Sequence, residues 1–253
     1  METQIMAMDE SYLKSLAAVR GRGNYREVFI NALSKISPDV KLGGVRSCLA
    51  IGPGDGWYEL EFLKHCEANI SKFIGIEPDH ASAEHLRTSL RSSLPGVESQ
   101  VIETTVENWE GPGIPVDLIT MFQVFYHIPA GERQEFLKKV HDCWLVSGRY
   151  VAVLTGRKLP GTTGVCEQLG SPAPRWEEIE AAFLKVGFTR HYDHEMHVTR
   201  DLTDPDESLL PFYQLQCRPK GRLITLDDVR EAIMKGQISH ETRFAITIYK
   251  SRN

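Results

Sequence analysis

Three glycines at alternate positions, Gly52, Gly54 and Gly56, follow the apolar run Cys48-Leu-Ala-Ile51 and precede Trp57, Leu60 and Leu63 at helical spacing. A short buried strand, a glycine turn and a helix are expected in that order. Glycines lack the Cβ atoms that would keep backbone away from a ligand, and Asp55 places an acceptor at the start of the helix. The chemistry this suits is recognition of a nucleotide-type molecule, with Gly52, Pro53 and Gly54 as its contacts.

The spacing narrows the ligand. A dinucleotide fold uses G-x-G-x-x-G/A, in which the last small residue lets the helix settle against the strand. Here the sixth position is Trp57, whose indole obstructs that approach, and G-x-G-x-G with an acid inside is the pattern of S-adenosylmethionine-binding methyltransferases. A nicotinamide-dependent dehydrogenase is the rival that Trp57 disfavours. The next apolar run, Lys72-Phe-Ile-Gly-Ile, ends in Glu77 and is followed by Pro78 and a helical stretch from Ala81 to Leu94. An acid at that strand end can accept both ribose hydroxyl protons.

Further along, Gln100-Val-Ile-Glu103 reads as a third strand that stops at Thr104-Thr105, so Thr105 and Val106 are expected to border the adenine, with helix capping an alternative for either threonine. Val116-Asp-Leu-Ile-Thr-Met-Phe122 is the most strand-like run in the chain and should be the central fourth strand. Gln123, Tyr126 and His127 follow it directly, at the strand end where open α/β sheets hold ligands, and form the expected chemical centre.

The elements that must position these groups are legible around them. Helices are expected over Glu10–Val19 and Tyr25–Ile36, separated by Gly21-Arg-Gly23, and they lie where a cover over the site would begin. Tyr12 and Tyr25 are therefore candidates to face a substrate, with packing on the sheet the alternative. A helix from Gly131 to Leu145, a strand from Tyr150 to Thr155, a loop over 156–170 and a helix from Trp176 to Val186 continue the β-α alternation. His191, His194 and His197 invite a metal reading. Their setting reads instead as a strand, which sends side chains three apart to opposite faces, so no metal site is expected. Asp204-Pro-Asp206 should cap a helix, Thr225-Leu-Asp-Asp-Val229 should start another, and Arg243–Tyr249 should close the sheet.

At 253 residues with 42% apolar composition, the chain is long enough for one α/β domain with embellishments. We read 1–253 as a single domain, with 1–43 a helical lid and 156–175 and 200–240 insertions on the substrate side. A net charge of −5 with scattered lysine and arginine offers no basic stripe for nucleic acid. Five separated cysteines without a C-x-x-C pair read as reduced thiols, and neither a secretory leader nor a long apolar span is evident. A cytoplasmic monomer without membrane or nucleic-acid partners is expected.

The segments A-I-G-P-G-D-G, I-E-P, E-T-T-V-E and D-L-I-T-M-F-Q-V-F-Y-H, in this order, resemble class I methyltransferases of the histamine N-methyltransferase type. The resemblance runs from about Tyr12 to Lys250. It implies a doubly wound, Rossmann-like α/β sheet, mostly parallel with an antiparallel last strand, and transfer of a methyl group from S-adenosylmethionine to a small amine. By the same resemblance the Gly52 turn holds the methionine part, Glu77 the ribose, Thr105 the adenine, and Phe122 makes an apolar backbone contact. Ser82 corresponds to a further cofactor contact if no gap follows Pro78.

On the acceptor side, Gln123 falls where the family holds the substrate's ring or amine, and Tyr126 on an aromatic wall. The family's acidic substrate residue aligns with Tyr25, its C-terminal asparagine with Glu241, and its tryptophans after the fifth strand have no counterpart in 156–170. The resemblance thus implies a cationic or amine acceptor rather than histamine in particular, with Glu241 restoring a carboxylate and Glu241 or His127 available as proton acceptor. Methylation of nitrogen or of oxygen, on another small metabolite, stays open at this point.

Overall fold

The computed structural model describes residues 10–157, 165–169, 175–216, 223–235 and 241–252. Helices α1 (Glu10–Gly21) and α2 (Tyr25–Ile36) precede the first strand, β1 (Ser47–Ile51). The chain continues through α3 (Trp57–His65), β2 (Lys72–Ile76), α4 (His80–Ser93), β3 (Glu98–Ile102), β4 (Val116–Phe122), α5 (Arg133–Lys139) and β5 (Leu145–Arg157). It ends with α6 (Val165–Gln168), α7 (Trp176–Val186), β6 (Phe188–Thr199), α8 (Leu210–Gln216), α9 (Leu226–Lys235) and β7 (Glu241–Ser251).

The strands form one sheet in the order β3-β2-β1-β4-β5-β7-β6. β1 pairs in parallel with both β2 and β4, and β7 runs antiparallel between β5 and β6. The chain therefore winds outward from β1 to β3, returns to β4 and winds the other way. That reversal leaves a crevice at the carboxyl ends of β1 and β4, because the helices leaving those two strands cover opposite faces.

Side-chain alternation divides the apolar residues between the faces. Cys48, Ala50, Leu118 and Phe122 join α2 and α3 on one face, while Leu49, Ile51, Ile119 and Met121 meet α5 and α7 on the other. A third, smaller cluster of Val19, Val165, Leu169, Leu209, Tyr213 and Val229 joins α1 to the late helices. The Ser15 hydroxyl accepts the Phe212 N–H at 2.9 Å, and Arg22 pairs with Asp206 at 2.6 Å, which tie the first helix to the segment after β6.

Three expectations need correction. In α3 the buried face is Tyr58, Glu59, Phe62 and Leu63, whereas Trp57 and Leu60 pack only partly buried beside it. The helix expected to reach Leu145 ends as an α-helix at Lys139, and Val140–Trp144 forms a wider π-helical turn. That turn seats Trp144 against Trp109 and Phe136 at ring distances of 5.3 and 5.9 Å, over a glycine, Gly111, whose Cβ would stand 2.4 Å from the indole nitrogen. Strand β5 then starts at Leu145 rather than Tyr150, with a shift of register between the Val116 and Leu118 pairings.

The strand expected around the three histidines is β6. A register shift between Arg190 and Tyr192 leaves His191 outside the pairing, with its ring 5.4 Å from Tyr150. Among the described residues no group of three His, Cys, Asp or Glu is placed to hold a metal ion. The expected caps form: Asp206 accepts the Ser208 N–H, and Thr225 and Asp228 each accept the other's backbone N–H.

Candidate active site

The turn after β1 is built by backbone bonds. Gly52 donates its N–H to Ile76 at 2.8 Å, Gly56 donates to Pro53 at 2.9 Å, and the Asp55 carboxylate accepts the Trp57 N–H at 3.2 Å. Gly52 has φ of +60°, and a Cβ there would stand 2.5 Å from Val124, so the segment after β4 is seated directly on the turn. Gly54, with φ of +59°, differs: a Cβ at that residue would meet nothing within 4 Å. This side of the turn can bring its backbone against a ligand.

Glu77 ends β2 and is only 5% exposed. Its Oε2 accepts the Gly54 N–H at 2.9 Å and its Oε1 the Asp79 N–H at 3.0 Å. Each oxygen keeps a second lone pair, which suits it to accept hydroxyl donors. Burial, with Asp79 and Asp55 nearby, pushes its carboxyl up to about 7 in spite of the two amide bonds. Pro78 is exposed beside it, and Asp79 caps α4 by accepting the Ser82 N–H at 2.7 Å. Ser82 lies buried in that first helical turn. The capping role of Asp79 was not read from the sequence, although an aspartate just before a helical stretch is a recognisable signal.

Thr105 stands before a short 3-10 turn, Val106–Asn108, without a side-chain cap, and Val106 packs against the apolar cluster that includes Ile76. Phe122, at the end of β4, is buried edge-on against Phe29 and Phe62, at ring distances of 6.2 and 5.4 Å. Gln123 follows it with φ of +58°, one of two non-glycine residues with positive φ among the described residues, and its N–H donates to Leu154 at 2.8 Å. A left-handed glutamine is held only where its surroundings overdetermine it, and such positions concentrate at functional sites. The sequence gives no sign of that conformation.

Tyr126 and His127 lie in a short turn, their rings 4.5 Å apart, with Tyr126 half-buried and His127 exposed. Tyr25 opens α2, and its ring lies 5.7 Å from Phe244 of β7. Glu241 is the first residue of β7, paired with Thr199 at the carboxyl end of β6. It therefore stands at the same end of the sheet as the glycine turn; its side chain, and that of Tyr12, lie outside the described residues. A shallow cleft of about 600 Å³ between residues 21–24 and 199–201 opens at this end as well. A second, of about 540 Å³ and lined by Pro115, Leu145 and Ser251, lies at the opposite end of the strands and has no part in the site.

Residues 48–148 match the protein family described as a methyltransferase domain. That stretch runs from β1 into the start of β5 and contains every expected cofactor contact. No curated protein sequence matches the chain. Among solved structures, the [4+2]-cyclase SpnF superposes with a TM-score of 0.58 at 12% identity, over 88% of this chain and 81% of that one. The N-methyltransferase NodS from Bradyrhizobium japonicum WM9 gives 0.54 at 12%, over 90% and 96%. The cyclopropane synthase MmaA2 from Mycobacterium tuberculosis gives 0.54 at 15%, over 87% and 82%.

At such identities the likeness is one of fold, and it spans three different reactions, so it does not choose the acceptor. The matched methyltransferase domain implies S-adenosylmethionine as the methyl donor. The residues fit it, with a turn whose open side would be filled by any Cβ at Gly54 and a buried acid with lone pairs to spare.

Proposed function

We propose that the chain, an S-adenosylmethionine-dependent methyltransferase, methylates the nitrogen of a small amine and works as a monomer. The observation that supports the reading is the strained Gln123, which follows β4 and precedes Val124, the residue that covers Gly52 of the cofactor turn. When bound, the cofactor supplies an electrophilic methyl group and a neutral leaving group. The protein's task is to set the acceptor lone pair in line with the methyl–sulfur bond at about 3 Å, where positioning supplies most of the rate.

Gln123 would hold the acceptor by its amide, and Tyr126 with the Tyr25–Phe244 pair would wall it from water. A protonated amine has no lone pair, so the site must take up or generate the neutral form. Glu241, by its place at the head of β7, would attract the cation, and Glu241 or His127 would take the proton. Glu77 would hold the ribose, the Gly52–Gly54 turn the methionine part, Thr105 and Val106 the adenine, and Phe122 and Ser82 would complete the contacts. A labelled-methyl assay over amines, phenols and carboxylates tests this: transfer to amines is expected, and transfer to phenols alone would replace the reading with O-methylation.

A further inference from the structure

The turn from β1 to α3 conceals a group that the assignments above do not use. Glu59 is the third residue of α3, 1% exposed, and its carboxyl finds no hydrogen-bond partner on any other residue, only its own backbone amide nearby. The charged and titratable groups that act on it are Arg20 of α1, Cys48 of β1, Asp55 of the turn, Tyr58 of its own helix and Glu77 at the end of β2. Arg20, the cation among them, lies 5.0 Å over the Tyr58 ring. The Cys48 thiol, which pairs with the Thr120 hydroxyl of β4, is pushed up by burial and by Glu59 itself.

Such a carboxyl is costly to keep. In an apolar surrounding it must hold its proton or find a positive charge, and its pKa is accordingly raised well above the ordinary range, mainly by burial. A leucine of similar size would fill the place more favourably. The side chain leans toward the start of its helix, as helical side chains do, and so toward the underside of the glycine turn. The cofactor that occupies this crevice carries two positive charges, an α-ammonium and a sulfonium. Its adenosine end is neutral and suits the ends of β2 and β3, where Glu77 and Val106 stand, which leaves its amino-acid end, with the ammonium beside an α-carboxylate, over the turn that Asp55 and the carboxyl of Glu59 adjoin.

We propose that Glu59 is a positioning residue for the cofactor's α-ammonium group, acting as its counter-charge from beneath the glycine turn. The acid releases its proton to solvent as the ammonium arrives, and returns to the neutral form when the cofactor leaves. The inference rests on the cofactor and not on the acceptor.

The test is calorimetric titration of S-adenosylmethionine, S-adenosylhomocysteine and 5′-methylthioadenosine into the parent, Glu59→Gln and Glu59→Leu, with thermal unfolding of each free protein. The first two ligands carry the ammonium and the third does not. Both variants are expected to lose about tenfold in affinity for the first two and to bind the third as the parent does, the scale of one ion interaction screened by the protein. Glu59→Leu should also unfold at a higher temperature than the parent, a gain of stability with loss of affinity that a merely structural residue cannot produce. Unchanged affinity for S-adenosylmethionine, equal loss for all three ligands, or loss confined to S-adenosylmethionine would each overturn the proposal. If one variant does not fold, the other gives the same comparison. A parent that binds none of the three would instead refute the cofactor assignment.

Discussion

Gly54 donates its backbone N–H to the Glu77 carboxylate across 2.9 Å, which joins the turn after β1 to the acid that ends β2. The two features that look independent in the sequence, with Gly54 and Glu77 23 positions apart, are joined mechanically. Disturbing the acid therefore also removes one of the bonds that hold the turn.

Replacing Glu77 by alanine should weaken S-adenosylmethionine binding by about 1.5–3 kcal/mol, the range for hydrogen bonds to a charged group. Calorimetry on the folded variant measures it. An unaltered dissociation constant would remove Glu77 from the ribose site.

Gly54→Val should keep the fold and lose the cofactor. A Cβ there meets no protein atom, so the structural cost is only that of a branched residue at positive φ, about 1–2 kcal/mol. The same side chain would enter the space of the methionine part. Circular dichroism beside a binding titration decides, and normal binding would show that the turn does not approach the ligand.

The raised pKa of Glu77, about 7, gives cofactor affinity a pH dependence. Ribose hydroxyls donate to the ionised carboxylate, so binding favours that form, and affinity should fall as pH drops below about 7, approaching tenfold per pH unit. Glu77→Gln should flatten the profile. Stability of the free protein runs the opposite way. The folded pKa lies above the unfolded one, so the stabilisation from holding this proton is complete below the ordinary carboxylate value of 4.5 and is lost as pH rises through about 7. Thermal unfolding at a series of pH values should show the free parent losing stability across that window, less so in Glu77→Gln.

Gln123→Ala and Glu241→Gln should raise the acceptor's KM or lower kcat while leaving S-adenosylmethionine affinity nearly intact, since neither belongs to the cofactor contacts. Glu241→Gln should further shift preference away from cationic acceptors, because an amide keeps the shape and loses the charge. If that variant methylates amines as the parent does, charge recognition by Glu241 is wrong.

How much of this was readable from the chain depends on the kind of signal each residue carries. The strand, turn and helix around Gly52 follow from apolar runs and alternate glycines, and Glu77 from its place at the end of a buried run. Strands β4 and β7 and the antiparallel closing pairing were expected and are present. Glu59 escaped notice because W-Y-E-L-E-F-L offers two ways to lay an apolar stripe on a helix, and a glutamate is ordinarily assigned to the wet side. The choice between them was made by α2, whose Phe29 packs against Trp57 and Tyr58 at ring distances of 5.6 and 4.7 Å and turns Glu59 inward. The π-helical turn was hidden for a related reason: the apolar residues through Leu145 keep a helical period, and only the meeting of Trp144 with Gly111, far away in sequence, ends the α-helix early.

The position of β7 between β5 and β6 has a temporal consequence. On a ribosome the other six strands emerge first, and β5 and β6, which are not paired to each other, must both wait with open edges for the final segment. Eleven residues, Glu241–Ser251, then close two ladders at once. A nascent chain halted before them holds a sticky, incomplete sheet, and its acceptor-side wall, which includes Phe244, assembles only with that last insertion.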